Sequence, residues 1–177
     1  MSLIERPDLV TLRVLVYPDK RLRQNADELS QIDGFLDEMS ERMSQLMLAD
    51  QGIGLAATQV GWAVRFIVIN PTLEEGKHQT LINPVIVERD GRVVEEEGCL
   101  SVPGVRAKVK RADYVRVRAQ TLQGDDVEIE GEGLKARLLQ HEIDHLEGRL
   151  FVDNVGPASR VIVKRRLKEL ARRQRRE

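Results

Sequence analysis

The sequence predicts an α+β fold in which antiparallel or mixed β-sheets pack around a central helix carrying an H-E-x-x-H motif, with a further helix at the C-terminus. Three features lead there. Apolar residues recur at three- and four-residue steps after residue 30, period-two alternation dominates residues 64–130, and helical spacing returns after Gly133. Strands gathered in one block and followed by helices argue against a doubly wound parallel sheet, in which the two alternate. With 177 residues, 41% of them apolar, and no internal repeat, low-complexity tract or linker, the chain reads as one domain over 1–177.

Residues 11–16 offer one short strand before the turn chemistry of Tyr17-Pro18-Asp19. Ser30 and Asp33 are placed like a capping pair, and Ile32, Phe35, Leu36, Met39, Met43, Leu46 and Met47 then keep helical phase until Gly52. The methionine-rich stripe reads as a plain core face. Strands follow at 64–69 and 81–87, in the alternations Val105-x-Ala107-x-Val109 and Val115-x-Val117-x-Ala119, and at 127–129. Gly76, Asp90-Gly91 and Gly124-Asp125 divide them as turns. A second helix runs from near Gly133 to Gly148, which sits where a capping glycine belongs. A third follows Pro157, tolerated in a first helical turn, and forms a basic C-terminal helix over about 157–177.

Charge is unevenly placed. The chain has 28 Lys and Arg against 29 Asp and Glu, yet residues 160–177 hold nine basic and two acidic groups, leaving a net −8 for the rest. The near-neutral whole argues against DNA as a partner, and 3% aromatics give no stacking platform for single strands. No apolar run approaches the roughly 20 residues of a membrane span. The lone Cys99 can close no intrachain disulfide, and the first residues lack a signal-peptide stretch, so the expectation is a cytoplasmic protein with no membrane partner.

The most specific local pattern is His141-Glu142-Ile143-Asp144-His145 inside the second helix. Two histidines four apart share one helical face and can reach one metal ion, while the glutamate beside them can carry a proton. Leu134 and Leu138 continue that face, and Leu139, Ile143 and Leu146 anchor the other side. A metal hydrolase wants a third ligand and an open position. The metzincin pattern fails, because its third histidine would fall at Phe151. Glu169 lies in the basic segment, where a solvated face is expected, and His78 sits in a polar turn and is expected to be exposed. Cys99 remains, as a thiolate suited to borderline and soft divalent metals. Gly52-Ile53-Gly54-Leu55-Ala56-Ala57-Thr58-Gln59 follows a helix rather than a strand, so it is not read as a dinucleotide fingerprint. Its glycines permit close approach of another backbone, and Gln59 offers an amide donor to a carbonyl.

Together, Gly-Ile-Gly-Leu-Ala-Ala-Thr-Gln, Glu-Gly-Cys-Leu-Ser and His-Glu-Ile-Asp-His, in this order, resemble the three signature motifs of the peptide deformylases. Tyr17-Pro18-Asp19 with Leu22-Arg23, Ile82-Asn83-Pro84 and Val102-Pro103-Gly104 extend the resemblance over about residues 10–170, preceded by a leader before Arg13. The resemblance implies an amide hydrolase that removes formyl from the N-terminal formylmethionine of new polypeptides, releasing formate. It implies Cys99, His141 and His145 as metal ligands, Glu142 as proton carrier, and Gln59 with the backbone N–H of Leu100 as donors to the formyl oxygen. Ile53, Gly54, Glu97, Gly98, Leu134 and Leu138 are implied to meet the substrate. Two imidazoles and a thiolate accept zinc, iron, cobalt or nickel; the resemblance points to Fe(II). Arg106 faces either substrate or solvent, and the basic helix either packs as a solvated surface or docks on the ribosome. A metalloprotease would instead cut internal peptide bonds, and a silent relative would bind metal without turnover.

Overall fold

In the computed structural model, which describes residues 5–176, seven strands form two antiparallel sheets and three α-helices pack against them. The first helix, α1 (Gly34–Ala49), starts four residues after Ser30 because Asp33 alone caps it, accepting the Phe35 N–H at 3.1 Å. Its Leu36, Met39, Met43 and Met47 are buried against Leu55, Trp62, Phe66 and Ile82, so the methionine stripe is core.

Strands β1 (Gly54–Ala56), β2 (Phe66–Ile69), β3 (Gln79–Asp90), β6 (Tyr114–Gln120) and β7 (Asp126–Glu132) hydrogen-bond in the order β1-β2-β3-β6-β7. A separate pair joins β4 (Val93–Glu97) to β5 (Ala107–Arg111). Period-two alternation turns Val115, Val117 and Ala119 of β6 toward Ala136, Leu139, Ile143 and Leu146 of α2 (Gly133–Leu146). That contact clamps the helix carrying both histidines; truncating any of its buried leucines costs about 2–5 kcal/mol. Gly148 ends the segment in the left-handed region (φ 65°), where a Cβ would stand 2.6 Å from the Arg23 carbonyl oxygen, so only glycine fits.

Several expectations are revised. Residues 11–16 form no strand: Leu15 and Tyr17 each donate one backbone bond, to the Gln59 and Ser101 carbonyls, and no ladder develops. The glycine-rich segment, to which the sequence assigns no element, supplies edge strand β1, which pairs Leu55 with Val68. β4 hid within an acidic run, whose Glu96 lies opposite Lys108 of β5 and whose Glu97 lies opposite Ala107. β3 is longer than 81–87 and passes Pro84 through a register shift between Ile82 and Val85. Residues 1–4 of the leader lie outside the described residues; farther along, Arg42 of α1 donates to the carbonyls of Leu9 and Leu12. Helix α3 (Pro157–Gln174) buries Val163 and Leu170 while its basic side chains face outward. No described helix is long and apolar enough to cross a membrane.

Candidate metal centre

Two elements converge on one point. Helix α2 presents His141 and His145 one turn apart, and the loop after β4 brings Cys99 against them, with its sulfur 3.2 Å from His145 Nε2. One donor atom from each of Cys99, His141 and His145 lies within 4.8 Å of the others, the one such group of three found among the described residues. His78 belongs elsewhere and is half-buried rather than exposed, its Nε2 3.1 Å from the buried Ser40 hydroxyl. Glu169 is exposed and pairs with Arg165 on α3. Phe151, where a third histidine was excluded, is buried and stacks on the His141 ring.

The charges around the site decide its protonation. Burial acts to raise the Glu97 carboxyl, yet hydrogen bonds from His141 and Arg111, with their charges, outweigh it and hold Glu97 far below the usual carboxylate range. An ionised carboxylate only accepts, so His141 Nδ1, 3.0 Å away, donates, and Nε2 becomes the ligand atom. Burial opposes charge on His141, but the Cys99 sulfur and Glu97 carboxylate raise it well above its ordinary value. Burial, then the charges of His141 and Arg111, hold His145 well below its own, which keeps its lone pair free for a metal.

Glu142 is 2% exposed and its Oε2 has no hydrogen-bond partner among the described residues. Burial, partly offset by the charges of His141 and Arg111, pushes its carboxyl up to about 7. Gly54 makes room for it. A Cβ there would lie 2.3 Å from Glu142 Oε1 and 2.5 Å from a Leu138 methyl, and one at Gly52 would lie 2.7 Å from a Leu100 methyl. Gln59 is buried, its carbonyl accepting the Ala56 N–H and its Nε2 lying 3.5 Å from the Cys99 sulfur and 3.0 Å from the Ser101 hydroxyl.

A cavity of about 850 Å³ opens over these groups, lined by Ile53, Gly54, Gln59, Glu97, Gly98, Cys99, Leu100, Leu134, Leu138, His141 and Glu142. Leu138 is buried and Leu134 half-exposed at the rim. Arg106 also borders the cavity while pairing with Glu96 at 3.4 Å. Glu97, expected among the substrate contacts, spends its carboxylate on His141, Arg111 and Arg137.

Arg111, Asp144 and Arg137 escaped the sequence reading. Arg111 bonds both Glu97 oxygens and reaches Asp144, tying the loop strand to the helix. A signal existed, since Arg111 continues the inward phase of Ala107 and Val109, where an arginine needs buried acidic partners.

The polypeptide deformylase family profile matches residues 11–161. A peptide deformylase of Tolumonas auensis is 44% identical over 167 residues, covering 94% of this chain and all of that protein. Among solved structures, a peptide deformylase from Legionella pneumophila superposes with a TM-score of 0.86 at 41% identity, covering 94% of this chain and 99% of that one. A plant peptide deformylase superposes at 0.92 with 34% identity, covering 96% and 94%.

Proposed function

Since this chain belongs to the polypeptide deformylase family, we propose that Cys99, His141 and His145 form its metal centre and that Glu142 moves the protons of its reaction. The enzyme is a metal-dependent hydrolase that removes the N-formyl group from newly made polypeptides. The observation that carries the site assignment is the meeting of a thiol and two imidazoles beside a buried carboxylate with a free oxygen.

The residues fit a divalent ion. Their donor atoms are close enough to share one ion, Glu97 directs His141 Nε2 to it, and His145 is held neutral. When bound, the ion supplies Lewis acidity, acidifying water and polarising the formyl carbonyl. This chain's residues do the rest. Glu142 Oε2 accepts a proton from the attacking water and returns one to the departing amine, for which a carboxyl poised near neutrality suits both transfers. Gln59 Nε2 and the Leu100 N–H stand as donors to the formyl oxygen as charge builds there. Gly52 and Gly54, free of Cβ atoms, let the peptide backbone lie along the edge of β1 as an added strand. Ile53, Leu134 and Leu138 receive the methionine side chain, with Gly98 leaving space beside them.

Fe(II) is our reading for the cellular metal, with zinc, nickel and cobalt as substitutes the same donors accept. It rests on family likeness. We place the protein in the cytoplasm, in keeping with the lone cysteine and the absence of a membrane-crossing helix among the described residues. The outward basic face of α3 supports docking on ribosomal RNA near its nascent-chain substrates. Residues 1–177 are taken as one functional unit.

Formate release from formyl-Met-Ala-Ser by protein purified without oxygen and loaded with iron tests the assignment, beside Glu142→Ala and an N-acetyl peptide. Release lost in the variant and absent with acetyl supports it. Full metal content with no release overturns it.

A further inference from the structure

We propose that the hollow between the β3–β4 turn and the end of β5 is a second ligand site, which takes a free oligophosphate. It shares no lining residue with the metal cavity, so the proposal stands apart from the reading of that site. The hollow, about 680 Å³ in volume, is lined by residues 89–92 at the turn, by 110–112 and by Gln140 of α2. Arg89, Arg92, Lys110 and Arg111 bring positive charge to it, and Asp90 is the acid among the lining residues. Arg111 is neutralised by Glu97 and Asp144. Three free cations against Asp90 leave a local +2, although residues 1–159 as a whole carry a net −8.

Arg89, Arg92 and Lys110 are exposed and make no ion pair or side-chain hydrogen bond among the described residues. The nearby acids of β3 and β4 are committed elsewhere: Glu88 to Arg116, Glu95 to Arg137 and Glu96 to Arg106. Like charges gathered in a concave, low-dielectric surface focus their field into it, which costs the folded chain and favours a counter-ion. The buried part of the wall is fixed. Gln140 accepts the Ala112 N–H at 3.0 Å and donates to the Ala112 carbonyl at 2.9 Å. The turn is held too: the Asp113 N–H donates to the Asp90 carbonyl at 3.0 Å, and Gly91, at φ 66°, packs so closely that a Cβ would stand 3.1 Å from that of Asp113. Binding therefore orders three long side chains and little backbone.

The lining also sets the class of ligand. Apart from Ala112 no apolar or aromatic side chain faces the hollow, so a nucleobase has nothing to stack on and recognition falls on anionic oxygens. Arginine forks grip phosphate through paired N–H donors, and lysine adds a point charge. Cations from both the turn and β5 suit several linked phosphates better than one. A compact oligophosphate fits a hollow of this form, whereas an RNA backbone is held by a groove that tracks along the strand.

Calorimetric titration of the nickel-loaded full chain with trimetaphosphate, a ring of three phosphates that chelates metal ions weakly, tests the site. The expected result is one ligand per chain with a Kd of about 0.1 mM, weakening about ten-fold between about 50 and 200 mM salt. Arg89→Gln, Arg92→Gln and Lys110→Gln should each weaken binding about five-fold, and the three together should abolish it. Asp90→Asn, which removes the opposing acid, should tighten binding about three-fold, a gain that damage to the fold cannot produce. Neutralising Lys164, Lys168, Arg172 and Arg173 on α3 should leave the Kd unchanged. No binding by the parent chain, or a Kd unchanged in the triple variant, overturns the proposal. So does tighter binding of a short single-stranded RNA than of trimetaphosphate through the same three residues, which would make the hollow a nucleic-acid contact.

Discussion

Glu97 Oε2 lies 3.0 Å from His141 Nδ1, and the same carboxylate is hydrogen-bonded by Arg111 and Arg137, all four groups being largely buried. One acid from the loop strand thus orients a ligand from the helix. Glu97→Gln keeps the shape but removes the charge, so two buried guanidiniums lose the counter-ion they share, keeping only Asp144 and Glu95, and His141 loses its fixed donor geometry. The expected loss is about 3–5 kcal/mol of stability and about 10–100-fold in metal affinity. Urea unfolding and metal content after dialysis against a graded chelator measure the two separately; full retention of metal would remove the orienting role.

Gly54 and Glu142 occupy each other's space. Gly54→Ala places a methyl group 2.3 Å from Glu142 Oε1, so the carboxylate or the edge strand must shift. Turnover of formyl-Met-Ala-Ser should fall about 100-fold, since a displacement near 1 Å at a reacting group has that scale. Stability should fall by about 1–3 kcal/mol. A variant with parental kcat would show that the glutamate has room to move.

Much of this arrangement was legible in sequence. The two histidines four apart needed only helical period, and the burial of Leu139, Ile143 and Leu146 followed from the same phase. Residues 11–16 were misassigned and strand β1 was not foreseen because tertiary pairing decided both: Leu55 becomes a strand residue by bonding to β2, and Leu15 merely lies beside Gln59. The Glu97–Arg111–Asp144 chain was hidden for a different reason. It joins residues 14 and 33 positions apart, and only the closing of β5 over α2 makes acids from two segments share one arginine.

Metal identity should show itself in oxygen sensitivity. Iron-loaded enzyme handled in air should lose most of its activity as Fe(II) or Cys99 oxidises, and reloading with nickel or cobalt should restore it if the sulfur is intact. Thiol titration beside activity distinguishes metal oxidation from sulfur oxidation. Equal activity of the iron form after prolonged aeration would count against iron as the working metal.

Neutralising the outward charges Lys164, Lys168, Arg172 and Arg173 to Gln should leave the hydrolysis of short formyl peptides unchanged, because α3 contacts the domain through Val163, Leu167 and Leu170. Ribosome co-sedimentation should weaken, and the salt dependence of what remains should become shallower as phosphate contacts are lost. Parental co-sedimentation at every salt concentration would rule out docking through this face.

Glu142 also sets a pH signature in the metal-free protein. Its folded-state carboxyl titrates at about 7 because of burial, against an ordinary value of 4.5. Below 4.5 both folded and unfolded chains hold the proton, and the folded form bears no penalty. As pH rises from 4.5 through about 7, the unfolded chain releases the proton first, so stability falls by about 3 kcal/mol and then levels off. Glu142→Gln carries no such proton. The difference in unfolding free energy between variant and parent should therefore be small near pH 4.5 and grow to about 3 kcal/mol in favour of the variant by pH 8. Paired urea titrations across that range read the Glu142 proton together with its charge coupling to His141; a difference independent of pH would show that the buried carboxylate is solvated in solution.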